Sequence, residues 1–424
     1  MRTRWLVLLI VHGLSSVSPI AAAPPERAVK QHDWPQWRGP DRSGVSREKG
    51  LLAAWPDQGL RLAWQVEDLG TGDSTPAVSA GSVYGMSFRG ADEVVWALDE
   101  LTGKERWVAR IAAARRSGGA GDGSRSTPTV DGPLLYVLGV QGDLVCLDSA
   151  TGKERWRRNM AKDFGGEQQL KYGGYSESLL IDGDHLICTP GSKQASLAAL
   201  HKRTGAIVWQ AQVPQQDKAK YSSVVAVEVQ GLRHYVQFLE KGVVGVAATD
   251  GRFLWRYDAP ANSRFVNCST PVVAGDCVFA ASAYGNGGGL VRLSRKGENL
   301  AAEEQYFTKK MQNQHGGMVL LDGYLYGSNE GLLTCLEFKT GKLMWDDRRP
   351  GKGSIAAADG HLYYRNERGP VFLIEANPKQ YILKGRLEQP AASKQHTWAH
   401  PVLANGRLYL RDHDWLFCYD LKPE

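Results

Sequence analysis

The segment Ala97-Leu98-Asp99-Glu100-Leu101-Thr102-Gly103-Lys104-Glu105-Arg106-Trp107 returns as Cys146-Leu147-Asp148-Ser149-Ala150-Thr151-Gly152-Lys153-Glu154-Arg155-Trp156. Looser copies surround Thr204-Gly205 with Trp209, Asp250-Gly251 with Trp255, and Thr340-Gly341 with Trp345. In each copy the Gly precedes the Trp by four residues, and the Trp-to-Trp steps are 49, 53, 46 and 90 residues. The last step is two periods with a degenerate copy between them, near Lys296-Gly297, where Ala301 stands in the Trp place. The residue types have a structural reason. The Gly can take positive φ in a tight hairpin, the Asp before it can cap the turn backbone, and the Trp buries a large area while its indole N–H seeks a fixed acceptor. Trp107, Trp156, Trp209, Trp255 and Trp345 therefore read as wedges between neighbouring repeats.

A second register runs alongside the first. Turn glycines at Gly81, Gly132, Gly183, Gly231, Gly275, Gly323, Gly360 and Gly406 each precede a strand-like run such as Leu134-Leu135-Tyr136-Val137, and a short apolar strand lies upstream of each. Each unit reads strand, Gly turn, strand, loop, strand, Thr-Gly turn, Trp-bearing strand. Four strands over about 45 residues make one propeller blade, and eight turn glycines predict eight blades. After Gly406 the outer strand is missing, whereas Leu60-Arg61-Leu62-Ala63-Trp64 is such a strand without a blade. Pairing the two ends closes the ring and removes its free edges, with Trp64 as the sixth wedge. The expected organisation is a leader over 1–23, an extension over 24–58 packed on the ring, and an all-β eight-bladed propeller over 59–424.

Composition agrees with one large globular ring. The 424 residues include 48 Gly and 13 Trp, carry a net charge of +6, and are 23% charged and 42% hydrophobic, which is neither disordered nor a disulfide scaffold. Arg2 and Arg4, the apolar run Trp5–Val11 and the small residues Ala21–Ala23 read as a secretory signal. The first Cys is Cys146, so no lipid-bearing cysteine follows that signal. An exported chain in the periplasm or cell envelope is expected, touching the membrane only by association. The mild charge gives no argument for nucleic acid, and a monomer is expected.

The pattern Ala-x-Asp-x-x-Thr-Gly-Lys-x-x-Trp, matched throughout by Ala97–Trp107, resembles the tryptophan-docking repeat of quinoprotein-type propellers, the PQQ-like repeat family. In size and in its exported, single-propeller character the chain resembles the outer-membrane assembly factors of the BamB type. Trp34-Pro35-Gln36-Trp37-Arg38-Gly39-Pro40, with Gly44-Val45-Ser46, is similar to the leader of secreted PQQ-like propellers of Planctomycetes-type bacteria. The resemblance implies one of two activities. Non-enzymatic members use the ring as a binding platform. Enzymatic members oxidise alcohols or sugars with pyrroloquinoline quinone (PQQ) held over a Trp, with Ca²⁺ and a catalytic Asp, and larger ones carry a disulfide between adjacent cysteines. This chain has no adjacent Cys pair and no acidic run suited to a Ca²⁺ site. The expectation is a non-catalytic binding or assembly scaffold with no catalytic residues, no metal and no cofactor. A PQQ-dependent dehydrogenase with PQQ and Ca²⁺ is the alternative, and a carbohydrate-binding or carbohydrate-active propeller the third.

Candidate binding residues follow from the ring. The loops joining each outer strand to the next inner strand open on one face, and they hold twenty basic and ten acidic residues, an excess above the net charge of the whole chain. Arg115, Arg116, Arg125, Arg264, Arg348 and Arg349 are the candidates there, for an envelope protein or an acidic glycan. His315 and His400 edge the central channel at the place where other blades have Ser74, Ser126 and Ser269. They belong to blades six and eight, which are not adjacent, so a shared site is not expected. Cys146, Cys335 and Cys418 fill equivalent third-strand places and read as packed small residues. Cys268 and Cys277 flank the Gly275 turn out of register for a disulfide.

Overall fold

The computed structural model describes residues 28–116, 122–167, 173–390, 393 and 395–423. The leader falls outside the described residues, as do Lys171 and Lys394 of the basic loops. Eight separate four-stranded antiparallel sheets form the ring. Blade one is Ala77–Ser79, Ser82–Arg89, Asp92–Asp99 and Glu105–Ala113, in spatial as well as chain order, and blades two to seven repeat that meander. Blade eight takes Val402–Ala404, Arg407–Asp412 and Trp415–Asp420 from the end of the chain and Leu62–Val66 from its beginning, with Trp64 paired to Cys418. The expected closure by the amino-terminal strand is what the sheets show.

The inner hairpins explain the glycine spacing. Each has a two-residue loop, and in five of them (Ala80-Gly81, Gln230-Gly231, Asp322-Gly323, Asp359-Gly360 and Asn405-Gly406) both residues have positive φ, the sign pattern of a type I′ turn. At Gly132, Gly183 and Gly275 the glycine comes first in the loop and alone has positive φ, as in type II′. Both types match the right-handed twist of the flanking strands.

Inner and middle strands are mostly buried, the innermost strand of blade five (Val272–Ala274) being half-buried, and the core is a series of layers between adjacent blades. One layer holds Trp34, Leu51, Trp55, Leu60 and Trp64 together with the inner residues of blades seven and eight. The extension before the ring is thus part of the hydrophobic core.

Candidate functional site

Blade-to-blade seams position everything at the centre. Trp107 Nε1 donates to Ser149 O (3.2 Å), Trp156 Nε1 to Lys202 O (2.9 Å), Trp209 Nε1 to Ala248 O (3.1 Å), Trp345 Nε1 to Asn377 O (2.8 Å) and, across the closure, Trp64 Nε1 to Glu100 O (3.0 Å). Each acceptor belongs to the next blade's outer turn. A methyl group on Gly152 would lie 2.5 Å from the Trp107 ring, and Gly152 has φ of 71°, so both the space and the backbone call for glycine.

Three seams depart from this pattern. Opposite Leu290, where a Trp would stand in blade five, the register places Tyr306 and not Ala301, because both strands of that hairpin run ten residues. The Tyr306 hydroxyl donates to Phe338 O at 2.7 Å. Blade seven has Gly385 at the equivalent place. Trp55 of the extension lies on it, 6.1 Å from Tyr363, and fills from a distant part of the chain the space that a local Trp fills elsewhere. Trp255 packs over Gly245 of its own blade, and its Nε1 has no hydrogen-bond partner.

The extension also blocks the channel. Trp34 exchanges both backbone hydrogen bonds with Val78 (2.8 Å each), Pro35 O accepts from Val130 N, Gly44 O accepts from Ala357 N, and Ser46 N donates to Ala357 O. Trp37 Nε1 donates to Thr270 Oγ1 at 2.9 Å. Arg38 donates to Met318 O, and Arg42 to Ser178 O (2.7 Å) and Leu179 O (2.9 Å). One short segment thereby bonds to the innermost strands, or the residues entering them, of blades one, two, three, five, six and seven. Both guanidinium groups are buried, which lowers Arg38 to about 10 and Arg42 to about 9, the latter opposed by Glu177.

Above this plug the residues entering the inner strands form a mouth. His400 Nε2 lies 2.8 Å from His315 O, so residues from the non-adjacent blades six and eight do meet. The inner strands converge on the axis, where chain order around the ring no longer sets distance. Trp37 packs on His400 from below (centroids 4.5 Å apart), and Trp398 packs on His315 (5.3 Å). Arg125 lies over the Trp398 ring at 5.7 Å. Glu367 faces Lys352 (3.3 Å), His396 (3.5 Å) and His315 (3.7 Å). Burial, then Lys352 and the neighbouring imidazoles, hold His315 well below the usual histidine range, and burial with Arg38 pushes His400 down to about 3. Both rings are therefore neutral at physiological pH. Burial raises the Cys268 thiol to about 12 against the pull of Arg125 and Lys352, which leaves it unreactive. All six cysteines are free, and Cys146, Cys335 and Cys418 are buried. Trp398 Nε1 and His315 Nε2 are buried without a hydrogen-bond partner.

The other basic candidates are spread around the rim. Arg264 lies over Tyr284 (5.0 Å), Arg349 pairs with Asp347 and covers Tyr381 (4.2 Å), and Arg116 reaches Thr71 and covers Phe88 (5.7 Å). Arg115 and Arg348 stand in the same rim loops, away from His315 and His400 in sequence. Trp398 and Glu367 are mouth residues that the sequence did not mark, whereas Lys352 was one of the twenty basic loop residues without being singled out. Lys352 and Trp398 precede inner strands, and Glu367 stands in the turn between the second and third strands of blade seven.

The fold and mouth define the class: an eight-bladed propeller of PQQ-like repeats, closed by both chain ends and plugged at its centre. Residues 91–347 match the family model described as outer membrane protein assembly factor BamB, and the chain belongs to that family. It is similar to the Yersinia pestis protein of that name, 22% identical over 354 residues covering 79% of this chain and 84% of the relative. A Shewanella oneidensis relative with the same name is 22% identical over 275 residues, covering 61% of this chain and 67% of its own. The fold is shared with BamB from Moraxella catarrhalis (TM-score 0.60, 16% identity, 86% of this chain and 98% of that one). It is shared equally with quinohemoprotein alcohol dehydrogenase from Comamonas testosteroni (0.66, 13% identity, 95% and 82%) and with a europium-containing methanol dehydrogenase (0.68, 11% identity, 91% and 90%).

Those enzymes raise the question of whether this mouth suits a quinone with its cation. A Ca²⁺-type ion takes six to eight oxygens from clustered carboxylates and carbonyls. Here Glu367 is already shared by one ammonium and two imidazoles, and among the described residues no three His, Cys, Asp or Glu side chains could hold one ion. The residues present do not fit the metal half of that cofactor.

Proposed function

We propose that this protein is an exported, non-catalytic scaffold of the cell envelope that grips an acidic segment of an outer-membrane assembly partner at the mouth-side face. The observation that carries this reading is the mouth itself. It is closed below by the Trp34–Ser46 plug, bears Arg125 and Lys352, and leaves the buried Trp398 indole N–H without a hydrogen-bond partner. An unfilled donor beside fixed cations favours a carboxylate over a neutral group. The rim arginines Arg115, Arg116, Arg264, Arg348 and Arg349 would guide such a segment in and weaken with salt. The names of the family's relatives support an assembly role, and the poor fit to a calcium-type ion speaks against the dehydrogenase reading.

The discriminating experiment titrates the purified protein with PQQ plus Ca²⁺, followed by its absorption spectrum and by dye-linked oxidation of alcohols and glucose. The scaffold reading expects neither saturable binding nor turnover. Saturable binding with turnover overturns it in favour of the dehydrogenase. Heparin retention at low salt gives a second check: changing Arg115, Arg116, Arg348 and Arg349 all to Glu should abolish it, and retention that survives refutes the basic face.

A further inference from the structure

Two bulky residues on the mouth-side face are held in a backbone conformation that such residues rarely adopt. Phe265 has φ of 57° and Tyr284 has φ of 61°. Both belong to blade five's surroundings, Phe265 in the loop entering it and Tyr284 between its second and third strands. A left-handed aromatic residue is strained, and such strain persists only where surrounding structure enforces it. Here the enforcement is visible. Asn262 Oδ1 accepts from Arg264 N (3.0 Å) and Val266 N (3.1 Å), and its Nδ2 donates to Val266 O (2.7 Å). Asn267, fully buried, ties the same loop to Leu239 O (2.8 Å) and Glu240 O (2.9 Å). The Tyr284 hydroxyl accepts from Gln314 Nε2 at 2.6 Å, and Gly285 N donates to Gln312 Oε1 at 2.8 Å.

This network does not bury the rings. Phe265 is 45% exposed and Tyr284 39%. Lys220 lies over the Phe265 ring (5.8 Å) and Arg264 over the Tyr284 ring (5.0 Å), and the ring surface left exposed beside them is available for recognition. They line one open recess of about 410 Å³ with Asp258, Asn286, Ser263 and Glu240. The polar groups there are fixed as well. Asp258 accepts from Gln215 Nε2 (3.1 Å) and pairs with Arg256, Asn286 Nδ2 donates to Ala259 O (3.1 Å), and Glu240 pairs with Lys220 (3.0 Å). The carboxylates are paired locally, and Lys241, which also lines the recess, donates to Gln215 O (3.3 Å).

We infer that this recess is a binding site for a neutral saccharide chain, separate from the mouth. A sugar ring presents apolar C–H faces, which stack on exposed aromatic rings, and hydroxyl edges, which need short, oriented donors and acceptors beside those rings. Phe265 and Tyr284 supply the first, and Asp258, Asn286 and Ser263 the second. The site stands whether or not an acidic segment occupies the mouth.

The test is saturation-transfer NMR of the whole protein with chitotetraose and with cellotetraose at millimolar concentration, beside an acidic and a proline-rich peptide. Transfer to at least one saccharide is expected, weakened about tenfold or more in Phe265→Ala and in Tyr284→Ala and unchanged in Leu101→Ala on the opposite face. No transfer to either saccharide, transfer only to a peptide, or saccharide transfer unaltered by both aromatic variants overturns the proposal. Phe265→Gly separates recognition from folding. Relief of the strained φ should leave its melting midpoint level or raised, and a fall would assign the ring a structural role instead.

Discussion

The seam between blades three and four and the seam between blades four and five differ in almost every detail. In the first, Trp209 crosses to the next blade, rests against Gly251 and bonds Ala248 O. In the second, Trp255 stays on its own blade, Gly297 meets no ring, and the hairpin Gly287–Thr308 extends outward to take polar bonds such as Tyr257 Oη to Glu304 (2.6 Å) and Arg252 to Asn299 (2.5 Å). The regular seam is an architectural joint repeated wherever the Thr-Gly and Trp spacing holds. The irregular one carries the strained aromatic pair beside it. Where the repeat rule lapses, the face becomes specialised, as expected of sites grafted on a common fold.

The closing seam, which joins the two chain ends, is the joint whose loss costs the ring most. Removing Leu62–Val66 exposes both the edge of Trp415–Asp420 and the layer around Trp64. No cooperative thermal transition should remain by circular dichroism. A melt like that of the full chain would refute closure.

Mouth-side ties between blades contrast with the turn-side tryptophans by depending on pH. Glu93 accepts from Ser124 Oγ (2.7 Å) and Val140 N (3.1 Å), and burial raises it to about 7 from an ordinary 4.5. The folded state then binds the proton more tightly than the unfolded one, so its stabilisation is full below pH 4.5 and is lost as pH rises through 7. The loss is on the order of 3 kcal/mol. Melts at pH 5 and pH 8 should differ more in the wild type than in Glu93→Gln, and equal differences would contradict the assignment.

A smaller effect separates the two outer turns directly. Gly251→Ala drives a methyl into Trp209 at 2.5 Å as well as straining φ, and should cost about 2–3 kcal/mol. Gly297→Ala has open space and only the backbone strain, about 1 kcal/mol. Equal denaturation midpoints would erase the distinction. Smaller still, Trp209→Phe strands Ala248 O whereas Trp255→Phe strands nothing, so the first should cost about 1–2 kcal/mol more by chemical denaturation.

The ring was legible because its joints repeat. Period, turn glycines and the orphan strand at Leu60–Trp64 carry local chemistry that any copy must satisfy. Tyr306 escaped notice because the longer hairpin displaced it from the usual spacing to Gly297, and Trp55 because it reaches Gly385 from more than three hundred residues away. The mouth was half legible. His315, His400 and Arg125 stood out at the inner-strand entries, yet their meeting across the axis depends on how eight strands converge, which no spacing encodes. Phe265 and Tyr284 gave no signal at all, since strain belongs to φ and not to composition.

The proposed scaffold meets its envelope partner at the mouth-side face and not at the turn-side face. Site-specific photo-crosslinking in cells distinguishes the two, with benzoylphenylalanine replacing Arg264 on the mouth side or Leu101 on the turn side. Adducts with an outer-membrane assembly protein from position 264, and none from position 101, are the predicted result. Adducts from position 101 alone, or equally from both, would contradict it.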